Sequence, residues 1–169
     1  MELTDKVVLI TGSTRGIGKA MARAFAQKKA KLILNGRKDL PADFIAELEK
    51  LEADYQYLPA DLATSDLKEY VNKAWNLYGQ IDILINNAGI NRDKMLIGMR
   101  DADFDQVMNL DLHVPFFMTK WVVKKIMKQR AGVVINMVSV IGLHGNVDQA
   151  NHAAAKAVAK ESSDAKYSC

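Results

Sequence analysis

Eight residues near the start of the chain, Thr11-Gly12-Ser13-Thr14-Arg15-Gly16-Ile17-Gly18, have the composition of a phosphate cradle. They follow the apolar run Val7-Val8-Leu9-Ile10 and precede Ile17, Ala20, Met21, Ala24 and Phe25, which recur at helical spacing. Glycines between a strand and a helix admit backbone angles and close approaches that a Cβ blocks. They bring a pyrophosphate onto the free N–H groups of the helix start. Alone, such a run also reads as a tight structural turn; the flanking strand and helix favour a dinucleotide phosphate. The triphosphate pattern GxxxxGK[ST] fails, because Ser13 stands five residues before Gly18 and Lys19 is followed by Ala20. ATP hydrolysis is disfavoured.

A ribose with a free 2′-hydroxyl calls for a carboxylate at the end of the second strand, and Asn35-Gly36-Arg37-Lys38 offers none. Arg37 and Arg15 can instead make charge-assisted bonds to a 2′-phosphate, with Lys38 assisting. NADP(H) is therefore expected over NAD; the competing reading makes these ordinary solvated cations.

The elements that must position these groups alternate along the chain. Strands are expected at Val7–Ile10, Lys31–Asn35, Tyr55–Leu58, Ile81–Ile85 and Val133–Val138. Helices are expected from Ile17, over Ala42–Ala53 with Pro41 at its start, over Leu67–Tyr78, over Phe104–Lys128 as one long element, and from Gln149. Buried strands alternating with helices predict a doubly wound, Rossmann-like parallel sheet in a three-layer α/β/α arrangement, with the ligand beyond the carboxyl ends of the strands. Residues 1–169 read as a single dinucleotide-binding domain. The composition agrees: 49% hydrophobic and 25% charged residues in a chain of 169 exclude a disordered or collagen-like protein. With 23 basic against 20 acidic residues, evenly spread, no nucleic-acid partner is expected. Cys169 is the single cysteine and can close no internal disulfide, and its bland reading is an incidental thiol at a frayed end. With no run of eighteen apolar residues and no secretory pattern at the start, a cytoplasmic protein without a membrane partner is expected. His113 and His144 have no identifiable partner, and no spacing suggests a metal site.

Thr11-Gly12-(x)3-Gly16-Ile17-Gly18, taken with Asn86-Asn87-Ala88-Gly89 after the fourth strand, resembles the short-chain dehydrogenase/reductase family. The stretch from Ser139 through Ile141-Gly142-Leu143 to Gly145-Asn146-Val147-Asp148-Gln149-Ala150-Asn151 and Ala153-Ala154-Ala155-Lys156 is similar, more narrowly, to bacterial 3-oxoacyl-[acyl-carrier-protein] reductases. The resemblance covers about residues 3–157 and leaves the tail, 158–169, atypical. It implies NADPH-dependent reduction of a 3-oxoacyl thioester in fatty acid biosynthesis, an acyl carrier protein as partner, and a tetramer. It also implies a cofactor site lined by Gly12, Arg15, Ile17, Asp61, Leu62, Asn87, Ala88 and Gly89, with Asp61 near the adenine, to which the reading of the glycine turn and strand end adds Ser13, Thr14, Gly16, Gly18 and Arg37. The family's catalytic serine falls on Ser139 and its lysine on Lys156. There the serine hydroxyl holds the carbonyl oxygen, and the lysine lowers the pKa of a tyrosine phenol that gives the proton.

Two positions depart from this pattern. His152 stands where the family has its tyrosine, and Asp111 where it usually has asparagine. Imidazole can donate a proton, but its size and reach differ from those of phenol, and Lys156 opposes its charged form. Reduced activity is expected, restored in part by His152→Tyr. Asp111 reads either as an altered relay residue able to pair with His152, or as a helix residue facing solvent. Two other readings therefore stand: a catalytically weak NADP-binding protein, and a carbonyl reductase of the same family acting on another ketone.

Family members continue past the lysine through a sixth strand, a lid and a seventh strand. The resemblance thus implies a sheet lacking the C-terminal strands and lid, with an apolar fifth strand at its edge. Ala157–Glu161 resembles the later part of the helix after the lysine, and Ser162–Tyr167 a segment near the family's last helix; a tail of no meaning is the alternative. Lys124, Lys125, Lys128 and Arg130 either steer an acidic carrier protein or form a solvated helix face.

Overall fold

The computed structural model describes residues 2–164, with side chains to residue 160. Cys169 and the last part of the Ser162–Tyr167 segment lie outside the described residues.

Five short strands, β1 (Val7–Ile10), β2 (Lys31–Leu34), β3 (Tyr55–Tyr57), β4 (Ile83–Asn86) and β5 (Val133–Asn136), form one parallel sheet in the order β3-β2-β1-β4-β5. Side chains alternate across a strand, so β1 sends Val7 and Leu9 to one face and Val8 and Ile10 to the other. The first face meets α3 (Leu67–Tyr78) through Tyr70, Val71 and Ala74, and α5 (Val114–Gln129) through Val114, Met118 and Val122. The second meets α1 (Gly16–Gln27) through Ala22 and Ala26, and α2 (Ala42–Lys50) through Phe44 and Leu48. The three-layer α/β/α expectation holds. Full burial of a Val, Leu or Ile side chain contributes about 1.5–3 kcal/mol, and β1 and β4 are buried throughout. The turns at their carboxyl ends therefore rest on a stiff floor.

Helix α1 buries a face other than the one its spacing suggests. Gly18, Ala22 and Ala26 are buried, while Ile17 is 62% exposed and Ala20 and Ala24 face solvent. Lys19, Arg23 and Gln27 mark one polar stripe, and Met21 and Phe25 pack at the margin of the apolar arc that is left. That arc is wider than the sheet covers, so periodicity does not fix which part of it is buried. Close approach to the sheet does, and it selects the smallest residues.

The single helix expected over Phe104–Lys128 is three pieces: α4 (Asp101–Met108), a π-helical segment (Asn109–His113), and α5. Pro115 in the first turn of α5 has no N–H to give, and the widened turn before it carries Asp111. Two short elements carry no clear periodicity in the sequence, a 3-10 turn (Leu96–Gly98) and α6 (Ile141–His144). The fourth strand runs two residues later at its start than expected, and the fifth is two residues shorter at its end. The final helix, α7, spans Ala150–Asp164, so the residues read as an atypical tail begin as its continuation.

Among the described residues β5 is one edge of the sheet and β3 the other; on β5, Val133 is 43% and Ile135 40% exposed. An unpaired apolar edge templates pairing with another chain. A polypeptide of residues 1–169 on its own is expected to elute from size exclusion as higher-order species, and Ile135→Lys to shift it toward monomer. A monodisperse monomer with Ile135 intact would contradict this.

Candidate active site

The glycine turn after β1 is held from three sides. Asn35, buried at the end of β2, accepts from Gly12 N with Oδ1 (3.2 Å) and donates from Nδ2 to the carbonyls of Leu58 (3.4 Å) and Ala60 (3.3 Å). Ser13 is fully buried; its N–H donates to Asn35 O (2.8 Å), and its hydroxyl accepts from Asn35 N (2.9 Å). Both polar groups of Ser13 are thus turned inward. Its N–H and hydroxyl shape the turn, which leaves its carbonyl as the group that could face a ligand. Thr11 Oγ1 accepts from Asn87 N (2.9 Å) and Ala88 N (3.0 Å), and Asn87 Nδ2 donates to the carbonyls of Thr11 and Gly12 (both 3.0 Å). The two motif turns are latched to each other.

Two glycines are required by these contacts. Gly12 has φ +62°, and a Cβ there would lie 2.9 Å from Ala88 Cα; at Gly18 a Cβ would lie 2.3 Å from the Gly12 carbonyl oxygen. Only without those side chains can α1 start against the turn. Helix α1 has no side-chain cap and no acid in its first turn, whereas α3 is capped by Asp66, which accepts from Glu69 N at 2.9 Å. The uncapped N–H groups of α1 and its dipole face an open cradle, since a Cβ on Gly16 would meet nothing within 4 Å. These features fit a pyrophosphate.

The other expected binding residues divide into two groups. Arg15 and Arg37 are exposed, and no hydrogen bond or ion pair holds either guanidinium among the described residues. Thr14 is half-buried against Gly36. Asp61 is half-buried; its Oδ1 accepts from Ala63 N (3.1 Å) and its carbonyl from Ser65 Oγ (2.7 Å), which fixes the loop after β3. Leu62 is buried in the α3–α5 core, so its main chain is the part left to line a ligand.

Two of the expected chemistry-bearing side chains, His152 and Lys156, meet at Asp111, which is 1% exposed and so is not the solvent-facing residue of the bland reading. Its Oδ1 accepts from Ile90 N at 2.9 Å. Its Oδ2 lies 3.4 Å from His152 Nδ1 and 3.2 Å from Lys156 Nζ, both on α7 and one turn apart. Gly89 abuts the same carboxylate, since a Cβ there would lie 3.0 Å from Oδ2. The cluster therefore touches the turn that is latched to the glycine cradle. Ser139, half-buried beyond β5, accepts from Ile141 N (3.3 Å) and opens α6. Gly142 lets α6 pack onto α7, where a Cβ would lie 2.8 Å from the Lys156 carbonyl carbon and 2.8 Å from Ala157 N.

Residues outside the expected set hold α7 in place. Asn151, fully buried, donates to Arg92 O (3.0 Å) and accepts from His152 N (2.8 Å). Lys94 N donates to Asp148 O (2.7 Å), and Gln149 Nε2 to Asp93 Oδ2 (2.9 Å). Asp103 anchors this loop through Lys94 Nζ (3.2 Å) and Arg100 (2.7 and 2.8 Å), and the Arg100 bonds hold its carboxyl well below the usual carboxylate range. Asn151 and Asn35 offered one signal in the sequence, an amide flanking a motif residue; their partners are remote.

The lysines of α5 are elsewhere. Lys124 and Lys125 lie 4.4 and 5.0 Å from the rings of Trp121 and Trp75, and with Lys68 and Lys128 they line a groove of about 690 Å³ between α3 and α5. That groove shares no residue with the two motif turns. Among the described residues, no group of three or more His, Cys, Asp or Glu is placed to hold a metal, and no helix is long and apolar enough to cross a membrane.

The sequence profile of the short chain dehydrogenase family matches residues 6–165. The chain belongs to that family. Among its curated relatives, the 3-oxoacyl-[acyl-carrier-protein] reductase of Thermotoga maritima is 42% identical over 159 residues, covering 93% of this chain and 65% of the relative. The enzymes of that name from Vibrio cholerae and Escherichia coli K12 are 39% and 36% identical over 158 residues, each covering 93% of this chain and 64% of the relative. This short chain dehydrogenase thus spans about two thirds of the length of the relatives it matches.

Proposed function

We propose that this short chain dehydrogenase is an NADP(H)-dependent oxidoreductase that reduces a 3-oxoacyl thioester carried on acyl carrier protein to the 3-hydroxyacyl form. The observation that carries the reading is the convergence of His152 and Lys156 on buried Asp111, beside a Gly89 turn latched to the phosphate cradle. The relatives named for this reaction support the substrate class. Gly12, Gly16, Ile17 and Gly18 present main-chain groups to the pyrophosphate. Arg15 and Arg37 receive the 2′-phosphate, and Asp61, Asn87, Ala88 and Gly89 line the rest. A bound reduced nicotinamide supplies the hydride. Ser139 hydrogen-bonds the substrate carbonyl oxygen, His152 gives that oxygen a proton, and Lys156 holds the ribose and tunes the charge of the site. The exposed lysines of α5, with Arg130, steer the acidic carrier. Helices α5 and α7 form the faces of a homo-oligomer.

The test is reduction of a 3-oxoacyl thioester with NADPH and with NADH. A charge-assisted hydrogen bond is worth about 1.5–3 kcal/mol, so Arg37→Ala is expected to raise the KM for NADPH about tenfold and leave that for NADH unchanged. Equal use of both cofactors by the unaltered protein would overturn the NADP assignment. Equal turnover of a simple ketone would overturn the thioester assignment.

One observation favours a second reading, cofactor binding with little turnover: the Lys156 ammonium is engaged by Asp111, and an imidazole replaces a phenol. NADPH affinity without reduction of any ketone would select it.

A further inference from the structure

We propose that Asp111 and His152 act as one acid–base unit, in which the Asp111 carboxylate holds the His152 imidazole by Nδ1 and leaves Nε2 to exchange a proton with the substrate oxygen. The proposal rests on the reductase reading above and names Asp111 as its positioning residue. Asp111 Oδ1 is committed to Ile90 N at 2.9 Å, which fixes the direction of Oδ2. Oδ2 and His152 Nδ1 are both buried and 3.4 Å apart without a hydrogen bond between them; Oδ2 has the Lys156 ammonium 3.2 Å away, and Nδ1 has no hydrogen-bond partner. Forming that bond requires the imidazole ring to turn toward Oδ2. The backbone of His152 is pinned meanwhile by buried Asn151.

A neutral imidazole donates from one nitrogen and accepts at the other, and a carboxylate facing Nδ1 selects the proton there. Nε2 then carries a proton only in the imidazolium. During reduction the carbonyl carbon gains the hydride from the reduced nicotinamide and the carbonyl oxygen takes the Nε2 proton. The ring returns to its neutral form with Nδ1–H on Asp111, and solvent restores the Nε2 proton. In the reverse direction Nε2 accepts the hydroxyl proton. The same carboxylate oxygen lies 3.2 Å from the Lys156 ammonium, so the three groups meet at one atom. Of the elements packed on α7, the π segment offers His113 besides Asp111; α4 offers Asp103, already engaged by Lys94 and Arg100, together with exposed Asp101 and Asp105; α6 offers His144; β5 offers no titratable group; and α5 carries its lysines from Lys120 onward.

Asp111→Asn tests the unit. Asparagine has one oxygen, and the Ile90 N–H claims it, so the amide NH₂ turns toward His152 and Lys156. In nitrogen NMR of the histidine-labelled protein, the His152 tautomer is expected to invert from Nδ1–H to Nε2–H, with His113 and His144 unchanged. Reduction is expected to fall about tenfold. In a His152→Tyr background the same substitution is expected to raise the rate at least about twofold, because a phenol is a neutral acid whose ionisation a nearby carboxylate opposes. An unchanged tautomer overturns the unit whatever the activity. An equal loss in both backgrounds assigns Asp111 a packing role only and overturns it as well. An inverted tautomer with no reduction in either background keeps the pairing and overturns the reductase reading.

Discussion

Replacing His152 by tyrosine is expected to raise the rate of NADPH-dependent ketone reduction by roughly tenfold to a hundredfold, with NADPH affinity unchanged. Lys156 lies one helical turn away on the same face of α7, and Ser139 leads into α6, which packs on α7 at Lys156 and Ala157. A phenol on this backbone reaches further than either imidazole nitrogen and donates without first acquiring a charge beside an ammonium. Misplacement by about 1 Å costs on the order of a hundredfold in rate, which sets the upper end of the gain. The residual carboxylate of Asp111 holds back part of it, because Oδ2 still engages Lys156 at 3.2 Å. Steady-state kinetics with a 3-oxoacyl thioester, alongside fluorescence titration of NADPH, separates the proton step from cofactor binding. No rise in rate at unchanged affinity would sink the assignment of position 152 as the proton donor.

Gly18→Ala is expected to weaken NADPH binding more than tenfold and to lower the melting temperature by roughly 2–12 °C, taking about 1–3 kcal/mol for overpacking and about 2–4 °C per kcal/mol at this size. The new Cβ would stand 2.3 Å from Gly12 O and 2.6 Å from Asn87 Nδ2. Neither atom can retreat. Gly12 sits against Ala88 and bonds to Asn35, while Asn87 holds the two motif turns together. The start of α1 must therefore move off the turn and carry its N–H groups away from the phosphate. Gly16→Ala is the natural comparison, since a Cβ there enters open space and only the φ of +54° resists it. Calorimetry and cofactor titration on both variants check the argument; equal effects would show that the close approach at Gly18 does not matter.

Much of the fold was legible because its signals are local. The apolar runs that become β1, β2 and β4 are buried on both sheet faces, and such burial requires uninterrupted apolar residues. The glycine turn and the absence of an acid after β2 are likewise written in consecutive residues. Local signals misled where several answers were consistent with them. The face of α1 depended on which side chains were small enough to lie against the sheet. The long helix read over Phe104–Lys128 is interrupted by the π segment that turns Asp111 inward, and the bond holding it comes from Ile90, on the far side of a loop.

What the sequence determined by itself is the order of the main strands and helices, the glycine turn after β1, and, through the family it resembles, which residues to compare: Ser139, Asp111, His152 and Lys156. Only the tertiary structure decided their surroundings. It turned Ser13 and Leu62 inward, joined the two motif turns through Thr11 and Asn87, and set one buried carboxylate between an imidazole and an ammonium. Residue types and periodicity are properties of neighbouring positions. Which polar atoms are left without water, and which partner each then finds, depends on how distant segments pack.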